Sequence, residues 1–169
     1  RAYDAADDGE RPKYGSLDFF NRDRGNLACL DYGVSFFVLR NSTVRHRTTL
    51  TPHNSAPGCR IGSLKRPAHV LAERSNFDLR LMLNAVAPDF AVVRGGRILP
   101  YIECQFHGDI LLARDVDAMH INGHAACDPA LRDKAEWLAK RYGWKLHFWA
   151  DRDQQLMWEI SNNLDRIKN

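Results

Sequence analysis

The sequence lacks any apolar run near the roughly 18 residues a membrane-crossing helix needs, so a chain threaded through a bilayer by helices is not expected. It has little cysteine. Cys29, Cys59, Cys104 and Cys127 are far apart and form no CxxC, which excludes a zinc ribbon or a tight disulfide framework. Free, buried thiols in a reducing compartment are the expectation. It has little net charge: 24 Lys and Arg face 21 Asp and Glu, a balance of +3. That balance does not call for nucleic acid, and it suits an anionic small molecule or an acidic patch on a partner. Repeats and low-complexity tracts are missing too, so solenoids and linkers are set aside. The chain opens on Arg1, as a fragment of a longer protein would, and a targeting segment can lie outside it.

What is present is one domain's worth of ordinary globular chain. There are 169 residues, 44% apolar and 27% charged, enough to bury a core. Residues 1–10, RAYDAADDGE, are small and acidic and read as a flexible lead-in. RPKYGSLDF enters the core as an extended segment. VSFFVLR (34–40) and VRHRTTLT (44–51) read as strands, and the NST between them as the turn of a hairpin. Residues 52–66 read as a long loop. PAHVLAER and FDLRLMLNAV read as helix with a break near Ser75, which can cap the second part. PDFAVVRGGRILPYIECQF reads as two strands joined at Gly95-Gly96. GDILLARDVDAMHI supplies one or two more. DPALRDKAEWLAKRYG is the clearest helix, capped by Asp128, opened by Pro129 and closed by Gly143. KLHFWA is a short strand, and DQQLMWEISNNLDRI reads as helix. The order gives an α+β fold with a mostly antiparallel sheet.

Residues that carry chemistry gather in YIECQFHG (101–108). Alternation puts Tyr101, Glu103, Gln105 and His107 on one strand face and Ile102, Cys104 and Phe106 on the other. The polar face is built from groups that handle protons and positive charge. In RPKYG, Arg11 offers a planar fork suited to phosphate, and Tyr14 beside Gly15 fits an aromatic platform next to open backbone. In RTTLT, Thr48 and Thr49 fall on opposite faces, so one can point into a cleft. His120, His124 and Cys127 have the residue types of a zinc site, but the Asn122-Gly123 turn disfavours ligand geometry and no metal is expected. Pro88-Asp89 followed by Glu103-x-Gln105 is similar to the PD…(D/E)xK pattern of Mg²⁺-dependent nucleases, with glutamine at the lysine position. A non-catalytic protein-binding module is a third reading.

The order of these segments is more telling than any one of them. Arg11 on an early extended segment, Thr48 and Thr49 on a later strand, and Glu103 at a strand beyond that resemble the Arg–Ser–Glu layout of mono-ADP-ribosyltransferases. RPKYGSL and YIECQFHGDI resemble signature segments of the CteC-like family of bacterial effectors, with the likeness running over roughly residues 10–120. The resemblance implies an ADP-ribosyltransferase-like fold of split antiparallel sheets with flanking helices, a single catalytic domain over 1–169. It implies NAD as co-substrate, no metal, and transfer of ADP-ribose to a threonine hydroxyl of a host protein, ubiquitin being expected, so blocking ubiquitination. The protein would be a monomer, a secreted effector acting in host cytoplasm. Glu103 would stabilise an oxocarbenium-like transition state. Arg11, Gly15, Thr48 and Thr49 would hold NAD, with Tyr14, Phe36 or Phe37 stacking on nicotinamide. One departure stands out: the usual ExE motif has its essential glutamate where this chain has Gln105. Either Glu103 has taken that role, or this variant works differently, and a neutral His107 could then accept the proton of the acceptor hydroxyl.

Overall fold

Strands form where β-branched and aromatic residues alternate, and helices where caps and apolar spacing allow them. In a computed structural model, which describes residues 5–18, 25–26, 29, 32–53, 60–86 and 101–148, the elements run as follows. β1 is Lys13–Ser16, β2 Phe36–Leu39, α1 Asn41–Val44, β3 Thr48–Thr51, β4 Gly62–Ser63, α2 Ala68–Ala72, α3 Asn76–Val86, β5 Glu103–Phe106, α4 Leu112–Asp115, β6 Val116–Ile121, α5 Gly123–Ala126, α6 Pro129–Tyr142 and β7 Lys145–Phe148. The chain divides into two compact units. Among the described residues, each carries one sheet: the first in the order β1-β5-β3-β4, the second β2-β6-β7. The fold is therefore α+β, and among the described residues the strands pair antiparallel except for β6 and β7.

In the first unit, β5 lies between β1 and β3. Ile102 and Cys104 enter a core with Leu50, Val70 and Met82, and Leu17, Leu64, Leu71 and Phe106 pack against it. Each fully buried aliphatic chain of this kind contributes roughly 1.5–3 kcal/mol. Gly15 sits where the ring of Phe106 crosses β1, since a Cβ there would come within 2.9 Å of Phe106 Cε2. Ser75 caps α3 as expected, its Oγ accepting from the Asp78 amide.

A buried carboxylate braces the same unit. The Asp115 side chain has no solvent exposure. It accepts from the Nε and Nη2 of Arg114, from Arg47 Nη2 at 2.9 Å and from the Leu111 amide at 2.8 Å. Its carbonyl accepts from the Arg40 amide, and Arg40 Nη1 reaches the carbonyls of Ala113 and Arg114. These contacts fill the acceptors that α4 exposes at its end. Arg114 above all, with backbone, Thr43 and Arg47 assisting, holds the Asp115 carboxyl well below the usual carboxylate range.

In the second unit, Val116, Ala139 and Trp144 form the core, with Leu39, Met119, Leu138, Tyr142 and Leu146 against them. α6 has the ends its sequence announces. Asp128 accepts from the Ala130 and Leu131 amides, and Gly143 closes the helix at φ 71° while the Trp144 amide bonds the Ala139 carbonyl. α5 and α6 supply the crossover that parallel β6 and β7 require.

Several expectations are corrected. The segments 34–40 and 44–51 do not form a hairpin: β2 pairs with β6, and β3 pairs with β4 and β5. Residues 41–47 coil into α1 and a 3-10 turn, and Arg47 is drawn to Asp115 rather than left on a strand. The first half of GDILLARDVDAMHI forms α4, because the Asp115 carboxylate captures the Leu111 amide and folds the turn. Residues 7–11 form a turn, with Arg11 bonding the Ala6 carbonyl and Lys13 those of Asp8 and Gly9. Of the free thiols, Cys104 is buried, Cys29 half-buried and Cys127 exposed. The hairpin expected at Gly95-Gly96, the final helix, Cys59 and residues 54–59 of the long loop lie outside the described residues.

Two outcomes follow from this packing. Asp115→Asn should lower stability by about 3 kcal/mol, read by urea unfolding at pH 7, because it leaves the largely buried Arg47 guanidinium without its counter-charge. The folded carboxylate titrates below the unfolded one, so the folded state binds fewer protons near pH 4. Its contribution is therefore present above about pH 4 and lost as the pH falls further, and the variant's acid limb should be flatter there. Gly15→Ala should cost about 1 kcal/mol, since the Phe106 ring must shift to admit the methyl.

Candidate functional site

Antiparallel register decides which side chains share a face. Opposite Gln105 stand Tyr14 on β1 and Thr49 on β3, and opposite Thr49 stands Ser63 on β4. Opposite Glu103 stand Ser16 on β1 and Thr51 on β3. One face of the first sheet thus carries two transverse rows, Tyr14–Gln105–Thr49–Ser63 and Ser16–Glu103–Thr51. The opposite face carries Ile102, Cys104 and Leu50 into the core.

These rows are wired together. Gln105 Nε2 donates to Glu103 Oε1 at 2.7 Å and to Thr51 Oγ1 at 3.0 Å. Thr51 Oγ1 donates to the His53 carbonyl at 2.9 Å. Thr49 Oγ1 donates to Gln105 Oε1 at 2.9 Å and lies 2.8 Å from His107 Nε2. Glu103 is only 3% exposed and Gln105 7%, whereas Thr49 and His107 are half-buried and Tyr14 is 60% exposed. The network therefore runs from a buried carboxylate outward to an imidazole. A buried polar group must be hydrogen-bonded or it costs its full desolvation. Glutamine, with two donors and an acceptor, meets that requirement for both neighbours at once.

His107 is held at its backbone as well. Its amide donates to the Arg47 carbonyl at 3.0 Å, and Arg47 Nη1 donates to the His107 carbonyl at 2.7 Å. At the other end of the strand, Arg74 Nη2 donates to the Tyr101 carbonyl.

The structure brings Glu103, Gln105, His107, Thr49 and Tyr14 onto one face of one sheet. Other candidates fall elsewhere. Thr48 lies on the opposite face, buried, with its hydroxyl donating to the Val44 carbonyl at 2.7 Å. Gly15 also faces away, and the Phe106 ring fills the side its missing Cβ leaves open. Arg11 precedes β1 and is engaged locally, with Nε on the Ala6 carbonyl and Nη1 3.5 Å from Asp8 Oδ1. Phe36 belongs to the second unit, where its ring stacks on His120 at 4.6 Å between centroids. His120 also stacks on His147 at 4.4 Å, so its ring is packed between two others. The side chain of His124, and Asp89 of the nuclease pattern, lie outside the described residues. Among the described residues, no group of three or more His, Cys, Asp or Glu is placed to hold a metal ion, and no helix is long and apolar enough to cross a membrane.

Sequence reasoning passed over Thr51, Arg47 and Asp115. Thr51 had a visible signal: it is two residues from Thr49 and must share its face. Arg47 and Asp115 had none, because their partnership joins segments far apart in the chain.

A scan against protein-family models and a search of curated proteins both find no match to this chain.

The geometry predicts what a glutamate at position 105 would do. With 2.7 Å between Gln105 Nε2 and Glu103 Oε1, Gln105→Glu would set two buried carboxyls in contact, and such a pair retains a proton. The folded variant would bind a proton that its unfolded chain releases. Relative to wild type, it should lose about 1–3 kcal/mol between pH 5 and pH 7, measured by urea unfolding at both values.

Proposed function

We propose that this protein is a NAD-dependent mono-ADP-ribosyltransferase with an ADP-ribosyltransferase-like fold, modifying a hydroxyl side chain of a protein acceptor. Ubiquitin is the first acceptor to test. The observation that carries the reading is the Glu103 carboxylate, held by a Gln105 N–H in a row with Ser16 and Thr51. Breaking the ribose–nicotinamide bond builds positive charge on the ribose ring, and a fixed carboxylate is the group that stabilises it. In this reading Glu103 carries the charge and Gln105 orients it, which accounts for an amide where the common motif has an acid. Ser16 and Thr51 stand opposite Glu103 in the sheet, and Thr49 opposite Gln105, so the carboxylate lies among hydroxyl-bearing residues of the kind a ribose site uses. Exposed Tyr14 offers its ring to nicotinamide.

The reaction balances without a further reagent. The C–N bond of NAD breaks with its electron pair leaving on nicotinamide. The acceptor oxygen bonds to the ribose carbon, and its proton passes to a base, a role for which the His107 ring, 2.8 Å from Thr49 Oγ1, is the candidate. Arg11, half-exposed, holds the Ala6 carbonyl and an exposed contact to Asp8, and is able to exchange these for a phosphate.

The test is incubation of the full chain with labelled NAD and ubiquitin, with and without EDTA, followed by mass analysis of both. Transfer insensitive to EDTA is expected. Glu103→Gln should reduce it by at least about 10²-fold, with the circular dichroism spectrum unchanged. Absence of both ubiquitin modification and NAD hydrolysis would overturn the proposal. Hydrolysis without modification would retain the chemistry and reject the acceptor.

A further inference from the structure

The directions of the hydrogen bonds that link Glu103 through Gln105 to Thr51, Thr49 and His107 follow from one backbone carbonyl. A carbonyl oxygen only accepts. Thr51 Oγ1 lies 2.9 Å from the His53 carbonyl, so the single Thr51 hydroxyl proton points there. Thr51 must then accept from residue 105, and the atom of Gln105 facing it at 3.0 Å is the nitrogen. The second proton of that nitrogen goes to Glu103 Oε1. The amide oxygen is thereby turned to Thr49, whose one proton it takes at 2.9 Å. Nothing remains on Thr49 to donate to His107, only 2.8 Å away. The ring nitrogen Nε2 must itself be the donor.

Reversing the Gln105 amide would set oxygen against the Glu103 carboxylate and against a hydroxyl already committed to His53. It would lose the bonds on both sides, so the assignment rests on the whole network rather than on atom labels. The bonds His107→Thr49→Gln105→Glu103 then all point the same way, inward to the carboxylate, and bonds so aligned polarise one another.

We infer that His107 and Thr49 are positioning residues for Glu103, acting through Gln105, and that His107 meets any incoming acceptor with Nδ1 alone. In the neutral ring with its proton on Nε2, Nδ1 is the one nitrogen able to accept a proton. A hydroxyl proton delivered to it leaves the ring as imidazolium and makes Nε2 a stronger donor to Thr49. The inward chain on Glu103 is then reinforced at the moment the acceptor oxygen becomes a nucleophile. This last coupling rests on the transferase reading. The bond directions do not, and they are measured without NAD, so failure of one is distinguishable from failure of the other.

The experiment is nitrogen-detected NMR on the full chain, labelled at His and Gln side chains, at a pH where His107 is neutral. The expected His107 signal has the proton on Nε2 and a bare Nδ1. Thr49→Val keeps the shape and removes the hydroxyl. It should speed hydrogen exchange of the Gln105 side-chain amide up to about tenfold, the scale of one lost hydrogen bond. Thr49→Ser, which restores the hydroxyl without the methyl, should return it to the wild-type rate. A wild-type ring protonated on Nδ1 instead would overturn the inference. So would a Gln105 exchange rate unmoved by Thr49→Val, or one that Thr49→Ser fails to restore.

Discussion

The Arg47–Asp115 ion pair is the constraint on which the first unit depends. Asp115 is buried among donors that come from α4, from the turn before it and from the 3-10 turn leading into β3. A buried carboxylate persists only when its acceptors are filled, so these segments are held in one arrangement. Arg47 passes the constraint on. Its remaining donors reach the Thr43 and His107 carbonyls, and its own carbonyl takes the His107 amide. The pairing of β3 with β5 is thereby continued to the residue where the polar network meets the surface. Arginine is required for this: lysine has no planar fork with which to grip a carboxylate and a carbonyl together.

Within that frame, Gln105 settles the character of the site. Its two neighbours on the polar face want different things. Glu103 needs a donor, and Thr49 needs an acceptor because its other contact is a ring nitrogen. An amide supplies both from one side chain, while a carboxylate supplies the acceptor but no donor. Position 105 is thus occupied by the group that best supports one acid beside it.

The parts of this arrangement legible in advance were those set by short-range periodicity. Alternation in YIECQFHG placed Glu103, Gln105 and His107 together and sent Ile102 and Cys104 to the core, as the burial bears out. Alternation in RTTLT separated Thr48 from Thr49. The caps Ser75, Asp128 and Gly143 marked helix ends because capping is a matter of a few neighbouring residues. Reading failed where a distant partner outweighed local preference. The β-branched residues around Val44 suggested a strand, yet the chain coils there and Arg47 turns to Asp115. LLARD looked like strand, yet the Asp115 carboxylate folded it into a turn of helix. Gly15 looked like open backbone, and the Phe106 ring occupies the space.

The sequence by itself determined the α+β class, the ends of the long helix, and which residues of β5 face the core. All of these depend on contacts within a few residues, whose geometry is carried by the backbone's own period. Only the tertiary structure decided that β5 lies between β1 and β3, that Tyr14, Thr49 and Thr51 are the neighbours of Gln105 and Glu103, and that Thr48, Gly15 and Phe36 are not. Strand order is chosen by burial and ion pairing between remote segments, and no local pattern records it. The directions of the bonds around Glu103 came last of all, from one hydroxyl proton committed to the His53 carbonyl.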